Sequence, residues 1–402
     1  MEAFDIAIVG AGLAGSLAAL ALADSGRRVA LIAPAARPHD GRTTALMAQS
    51  IDFVKELGLW EEIAKVAAPL ETMRILDGTS RLFRAPPVNF RSSEVGLPAF
   101  GYNIPNAPFL DDLEQRIAQH EAISRFDTAL ETLSLRADGA ELQLADGRAI
   151  SARLVVGADG RRSEVRRQSD IAVRNWTYPQ TALVLNFAHE LPHGNISTEF
   201  HTESGPFTQV PLPGGRRSSL VWVLSPTEAE AKRSLPLEEL SRAVEDRMQS
   251  LLGKVSIDTP PQAFPLSGMQ AVRFGKGCVV LVGEAAHAFP PIGAQGLNLS
   301  LRDVMALREL AATPGHPLET IGEAFDRKRR ADVQSRTASV DLLNRSLLSN
   351  FLPVQILRTA GLHLLSVIGP LRSVVMREGV EPGGSLKALR ESLRERVPGQ
   401  QA

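Results

Sequence analysis

The stretch Phe4-Asp5-Ile6-Ala7-Ile8-Val9-Gly10-Ala11-Gly12-Leu13-Ala14-Gly15 decides the fold. An apolar run of strand length meets a Gly-x-Gly-x-x-Gly turn, and a helical run follows to about Ala23. The motif therefore has the strand, turn and helix context that a glycine triplet alone lacks. Gly26 reads as the helix stop and Arg28 to Ile32 as a second strand, which completes a βαβ unit. In such a unit Gly10 permits the reversal after the strand, Gly12 lets backbone amides approach a pyrophosphate, and Gly15 lets the helix pack on the sheet. Leu13 and Ala14 belong to the helix N-terminus, where unpaired N–H groups favour an anion. The second strand ends Leu31-Ile32-Ala33-Pro34. It carries no Asp or Glu for an adenosine ribose, so the ribose hydroxyls need another partner.

Two further turns follow strands. Toward the other end of the chain, Cys278 to Val282 leads into Gly283-Glu284-Ala285-Ala286-His287 and on through Pro290-Pro291-Ile292-Gly293-Ala294-Gln295-Gly296-Leu297-Asn298, with a helix expected over Leu299 to Ala311. A nicotinamide cofactor has no need of this second site; a larger one does. In the middle, Arg153 to Val156 leads into Gly157-Ala158-Asp159-Gly160-Arg161-Arg162-Ser163 and a short helix through Arg167. Asp-Gly is also a common plain turn, but its place after a buried strand favours a ligand role for Asp159.

Composition narrows the alternatives. The 402 residues are 44% hydrophobic with a net charge of −1, which describes an ordinary chain of about two domains. There is no basic excess to suggest nucleic acid. The single cysteine, Cys278, excludes an intramolecular disulfide, points to a reducing compartment and reads as core. The N-terminus enters a strand directly, so no signal peptide is expected. The apolar segment Phe351 to Met376 is interrupted by Arg358, His363, Pro370 and Arg372, too many for a spanning helix. A cytoplasmic location is therefore expected. No His, Cys, Asp or Glu group has metal-ligand spacing, and no Gly-x-Ser-x-Gly elbow presents a nucleophile.

The predicted class is α/β with an α+β second part: a Rossmann-like nucleotide domain, an interleaved sheet-containing domain and C-terminal helices. Leu130 to Val156 reads as three short strands separated by Asp138-Gly139 and Asp146-Gly147, a β-meander inserted in the first domain. Strand-like runs at Ala182 to Phe187, Phe207 to Pro211 and Ser218 to Leu224, with a helix near Leu237 to Leu252, mark the second. The boundaries predicted are 1–75, 100–168 and 276–345 for the nucleotide domain and 76–99 and 169–275 for the other. Residues 346–402 form a helical segment and tail, with helices expected over 320–350 and 354–376.

The three turns, in this order and at these separations, resemble those of the class A flavoprotein monooxygenases with the para-hydroxybenzoate hydroxylase fold. Asp40-Gly41-Arg42-Thr43-Thr44-Ala45-Leu46, the run Gly283 to Asp303 and the length resemble, within that group, the ubiquinone-biosynthesis hydroxylases of the UbiH/UbiF type. The resemblance covers nearly the whole chain. It implies FAD as cofactor, with Gly10, Gly12 and Gly15 at the pyrophosphate, Arg42 along the ribityl and isoalloxazine side, Asn106 in contact with the cofactor, and Asp159 serving both flavin and reduced nicotinamide. Arg42 as a solvated loop charge and Asn106 as turn chemistry remain open alternatives. Glu284 stands where the family normally has Asp for a ribityl hydroxyl. Pro291, Gly293, Ala294, Gln295, Gly296, Leu297 and Asn298 would line the flavin pyrimidine edge, with the following helix directing its dipole there. Pro290 and Ala294 depart from the family's His-Pro and Gly-Gln-Gly. His287 is a weak catalytic candidate, since the same run commonly holds a structural histidine.

The resemblance implies an NAD(P)H- and O₂-using ring monooxygenase acting on an electron-rich phenol. Such chemistry needs a dry, largely apolar pocket, for which Leu185, Val210, Leu212 and Trp222 are candidate walls. Arg345, Arg358, Arg372 and Arg377 interleave with apolar residues in an acid-free stretch. This suits a peripheral contact of 345–377 with an anionic membrane face, which would suit a polyprenylated substrate, and equally a core helix pair with a few solvated arginines. A soluble aromatic substrate, a flavin-binding but non-catalytic member of a biosynthetic complex, and an NAD-dependent dehydrogenase are the rival readings. The distant Gly283 turn and the missing ribose acid count against the last.

Overall fold

The computed structural model describes residues 1–35, 41–78, 86–202, 204–290 and 294–348. Strand β1 (Glu2–Val9) feeds α1 (Leu13–Ala23) and β2 (Val29–Ile32). After β3 (Thr43–Met47) come α2 (Ala48–Glu56), α3 (Trp60–Ala64), β4 (Ala68–Pro69), β5 (Thr72–Asp77) and β6 (Val88–Arg91). Then β7 (Gly101–Pro105), α4 (Asn106–Gln119) and β8 (Ile123–Phe126) return to the first sheet, followed by β9 (Leu130–Arg136), β10 (Gly139–Leu144), β11 (Ala149–Gly157) and α5 (Glu164–Gln168). The next stretch holds β12 (Val173–His189), β13 (Ile196–His201), β14 (Pro206–Leu212), β15 (Arg217–Leu224), α6 (Pro226–Arg233), α7 (Leu237–Arg247), β16 (Val255–Ile257) and β17 (Gln262–Ala271). The described chain ends with β18 (Gly275–Lys276), β19 (Val279–Leu281), β20 (His287–Ala288), α8 (Gln295–Ala312) and α9 (Ile321–Leu348).

The first sheet has the order β18-β19-β11-β1-β2-β8, with β1, β2, β8, β11 and β19 mutually parallel. Its strands are apolar runs because both faces are covered. Helix α1 is apolar nearly all round, and its residues from Gly15 to Ala23 are buried, since it lies between the sheet and helices α4 and α8. The expected meander is present, but its third strand and the parallel strand are one element. β11 pairs antiparallel with β10 along Ala149–Ala152 and parallel with β1 along its whole length. The second sheet has the order β20-β17-β12-β15-β14-β13-β5-β6. A small third sheet, β3-β7-β4, stands between the two. The α/β architecture is the one expected, and α9 agrees with the helix expected over 320–350. The helix expected over 354–376 and the membrane-contact segment, apart from 345–348 at the end of α9, lie outside the described residues.

One boundary differs. Helix α8 begins at Gln295 rather than Leu299, because Ala294 adopts the left-handed conformation at φ 54° and turns the chain into the helix one turn early. Gln295, Gly296, Leu297 and Asn298 are thus the first helical turn, not a loop.

Candidate functional site

The three glycine-bearing turns converge because their strands end together. Val9 pairs with Gly157, and Gly157 with Leu281, so the chain reverses three times at one edge of a parallel sheet, where such folds bind ligands. A Cβ on Gly10, whose φ is 108°, would lie 2.3 Å from the Ala158 carbonyl oxygen, and one on Gly15 would lie 1.9 Å from the Gly10 oxygen. The first turn is thereby pressed against the third and against its own helix. A Cβ on Gly283 would sit 3.3 Å from that of Ala14, which brings the second turn onto the start of α1.

The same turns leave room. A Cβ on Gly12 or on Gly296 would meet nothing within 4 Å. Helices α1 and α8 begin without a side-chain cap and without an acid in their first turn, the sort of helix start that suits an anion. The Glu284 carboxylate is exposed and has no hydrogen-bond partner among the described residues. Two uncapped helix starts and the exposed Glu284 carboxylate beside the meeting turns fit a dinucleotide carrying both a pyrophosphate and polyol hydroxyls. Ala33 is buried at the end of β2, its N–H donating to the Phe126 carbonyl at 3.1 Å, and it offers a ribose nothing polar.

The other sequence-selected residues fall into three groups. Asp159 caps α5, accepting from the amides of Glu164 at 2.6 Å and Val165 at 3.2 Å through Oδ2, while its buried Oδ1 has no partner. Burial raises its carboxyl pKa above the ordinary value, against the opposing effect of those hydrogen bonds. Asn106 accepts from the Thr44 hydroxyl at 2.7 Å, and its backbone N–H donates to the Arg42 carbonyl at 2.9 Å; the Arg42 guanidinium lies 6.0 Å from the Phe264 ring centroid. Asn298 is fully engaged as a clamp. Its Nδ2 donates to the carbonyls of Ala45 and Ala294 at 2.8 and 2.6 Å, and its Oδ1 accepts from the Met47 amide at 2.9 Å. Strand β3 is so fastened to the start of α8. Asp40, Pro291 and Gly293 lie outside the described residues.

His287 is placed behind the turn, not in the cleft. It is 2% exposed, its Nε2 lies 2.6 Å from Asp303 Oδ2, and its ring stacks on Phe289. Asp303, itself 1% exposed, also accepts from the Gly283 amide at 3.1 Å and from Arg329 Nε at 2.7 Å. Arg329 pairs on with Asp332, which also holds Arg302 at 2.8 Å. Burial pushes the Asp303 carboxyl up, but the His287 and Arg329 partners outweigh it, and the net shift is downward. Arg166 links the other two turns by donating to the Ala285 carbonyl at 2.8 Å and the Arg161 carbonyl at 2.9 Å. Asp303 closes the run Gly283 to Asp303 with no role of its own assigned there, and neither Arg329 nor Arg166 stands in a motif that marks it, because each acts on a turn distant in sequence.

The second sheet supplies a wall, and strand register decides which residues form it. On one face Leu183, Leu185, Phe187, Phe207 and Trp222 pack under Ala229 of α6 and Leu240 and Val244 of α7. Leu185 and Trp222 are therefore core beneath helices and not pocket walls. Alternate residues of a strand face opposite sides, and sequence alone could not say which side the helices cover. On the other face Asn186 donates to the Gly41 carbonyl at 2.8 Å, the Thr43 hydroxyl reaches Ser219 at 3.2 Å, and Met73 and Phe90 pack with Phe100 and Met47. Next to that contact runs a half-buried row in register, Gln262, Val184, Val221, Thr208, Glu199 and Ile75. Beyond it the sheet closes again, where Ala182, Val223 and Leu266 pack with Tyr178 and with one side of Val184 and Val221. The row is the floor of a trough. Of the four proposed wall residues only Val210, half-buried beside Ser219, borders it; Leu212 is 2% exposed and sealed.

The comparisons with known proteins agree with this geometry. A family model described as an FAD binding domain matches residues 3–337. The chain is 34% identical to ubiquinone hydroxylase UbiL of Rhodospirillum rubrum over 397 residues, covering 95% of this chain and 90% of that protein. It is 30% identical to the 3-demethoxyubiquinol 3-hydroxylase of Escherichia coli, covering 93% and 97%. Among solved structures it resembles PqsL, a probable FAD-dependent monooxygenase from Pseudomonas aeruginosa, with a TM-score of 0.76, 25% identity, and 90% and 100% of the two chains covered.

Proposed function

The chain belongs to the FAD binding domain family and is a flavin-dependent monooxygenase, and from that premise we propose that it hydroxylates the aromatic ring of a polyprenylated phenol in ubiquinone biosynthesis. The observation that carries the reading is the meeting of three turns from distant parts of the chain around open space, beside an apolar trough.

Bound FAD would supply hydride acceptance from NAD(P)H and activation of O₂ for insertion of one oxygen atom. The rest falls to the protein. Gly12, with the amides of Leu13, Ala14 and Gly15, would hold the pyrophosphate on the N-terminus of α1. Glu284 would accept from a ribityl hydroxyl, and Arg42, Asn106 and the free oxygen of Asp159 would border the cofactor. The first turn of α8 would direct its amides at the pyrimidine edge and favour negative charge there. Strand β3, held to α8 by Asn298 and to the second sheet by Thr43, would fix the distance between cofactor and trough. The trough would hold the ring and exclude water by its valines and isoleucine. The two parts would correspond to a cofactor domain and a substrate domain interleaved in sequence. No helix among the described residues is long and apolar enough to cross a membrane. A cytoplasmic enzyme touching the inner membrane face through 345–377, alone or within a biosynthetic complex, would meet a prenylated substrate there.

The test begins with the visible spectrum of the purified protein and identification of the cofactor released by heat. Turnover is then followed with NAD(P)H, 2-prenylphenol and ¹⁸O₂ in the presence of vesicles. Bound FAD and one ¹⁸O atom in the product are expected. A protein that takes up no FAD, or that holds FAD but never labels a phenol, would overturn the reading.

A further inference from the structure

We propose that Glu199 is a catalytic residue that binds the ring hydroxyl of the phenol and takes its proton, with His201 as its positioning partner. The proposal rests on the ring-hydroxylation reading above and adds a residue to it.

The trough floor is apolar at Val184, Val221 and Ile75, and Glu199 is the one carboxylate in its register row. Its side chain is half-buried, 29% exposed. Glu199 is held in place from one side only. Its Oε1 lies 2.8 Å from His201 Nε2, while its Oε2 has just a long contact of 3.4 Å from the Thr208 hydroxyl. No Lys or Arg makes an ion pair with it among the described residues. His201 is buried in the next row, where its register partner on β5 is Asp77. The arrangement is a carboxylate held at one oxygen by the imidazole two residues along its strand face, with its second oxygen left to the long Thr208 contact. A few placed polar groups in an otherwise apolar pocket are what fix a small ligand's orientation.

A phenol lying on the valines with its hydroxyl at Oε2 would donate a hydrogen bond to it. The step is a proton transfer alone: the phenol O–H bond breaks, its electron pair stays on oxygen, and an O–H bond forms at Glu199. The phenolate ring is richer in electrons ortho and para to the oxygen, the property that attack by an electrophilic oxygen needs. After oxygen insertion the ring carbon releases its own hydrogen as a proton to water, the C–H electron pair restores the aromatic ring as a phenolate, and Glu199 returns its proton to that phenolate oxygen. General-base help of this kind contributes about 10²–10⁴-fold.

The test uses FAD-loaded enzyme and 2-prenylphenol below the phenol's solution pKa. The ultraviolet difference spectrum of the wild-type complex should show phenolate; that of Glu199→Gln should show neutral phenol at unchanged FAD content. The rate of ring hydroxylation in Glu199→Gln should fall by about 10²–10⁴-fold, and a ring-fluorinated, more acidic analogue should recover much of the loss, which a merely structural defect would not allow. Thr208→Val should weaken binding with little change in the phenolate signal. A neutral phenol in the wild-type complex, or wild-type rates in Glu199→Gln, overturns the proposal, and the wild-type spectrum decides even if the variant fails to fold. Wild-type enzyme that holds FAD but oxidises no phenol would instead sink the broader function.

Discussion

Replacing Asp303 by Asn removes the charge at the centre of the buried network while keeping its shape. Asp303 accepts three hydrogen bonds, from Gly283, His287 and Arg329, and an amide can accept at one oxygen only. One donor is therefore orphaned, and the buried Arg329 cation loses the more deeply buried of its two carboxylates. Breaking a buried pair by removing one partner costs about 3–5 kcal/mol. Because Asp332 still holds the other end of Arg329, the lower figure, about 3 kcal/mol, is expected for Asp303→Asn, roughly a 1 M fall in urea midpoint at an m-value near the top of the usual range. The Gly283 amide shares the other oxygen, Oδ2, with His287, so loosening the network loosens the turn that presents Glu284. Ordering that turn on binding would then weaken FAD affinity about tenfold for each 1.4 kcal/mol spent. Urea unfolding followed by circular dichroism, with a flavin-fluorescence titration of the apoprotein, reads both effects. There is also a pH signature. A carboxyl whose folded pKa lies below its unfolded value contributes stability that is present above about pH 4 and lost as pH falls through the folded pKa. Wild type should thus lose stability in acid more steeply than the variant. An unfolding midpoint within about 0.5 kcal/mol of wild type would refute the reasoning. Lost stability with unchanged FAD affinity would show that the network does not hold the turn.

Asp159 has the opposite sign. Burial raises its folded pKa, so the folded state holds a proton that the unfolded chain releases, and ionising the carboxyl costs stability as pH rises past its unfolded value of about 4. Asp159→Asn, which keeps an acceptor for the α5 amides, should leave the apoprotein at least as stable at pH 7 in a thermal melt; a clear loss would mean that its charge is needed for the cap. The two faces of the second sheet are separable as well. Trp222→Ala should cost about 3–5 kcal/mol of stability at little change in KM for the phenol, whereas Val210→Trp should raise KM in steady-state assays with stability kept; the reverse pattern would place the trough on the wrong face.

The cofactor half of the molecule was legible because its signals are local. Each turn follows directly on its strand, and the spacing Gly10, Gly12, Gly15 reports backbone clearances that the structure repeats atom by atom. Partnerships across the chain were not legible. Asp303 and Arg329 lie on different helices, Arg166 acts on Ala285, and nothing near any of them announces the contact. The substrate half failed for another reason. Leu185 and Val184 are equally apolar neighbours, and only the position of α6 and α7 tells which of them is core. Glu199 and His201 were passed over because an acid and a histidine two apart on a strand look like a solvated edge until Val184, Val221 and Ile75 are seen to share the row of Glu199. The early start of α8 was hidden by Ala294, a residue that rarely adopts a left-handed turn.

The order of strands in the first sheet bears on how the protein is made. β1 is central and β11 is its neighbour, but β19, which covers the other side of β11, is encoded about 120 residues later. At about 5–20 residues per second, a nascent chain would carry the end of β11 beyond its β10 partner as an uncovered edge for roughly 6–24 s before its cover emerged. Throughout that interval Gly283 and α8 do not exist, so the emerging chain has nothing with which to grip the second half of a dinucleotide. Flavin capture is then a late event, and cells short of riboflavin should accumulate this chain as an aggregation-prone apoprotein, with β11 as a segment at risk.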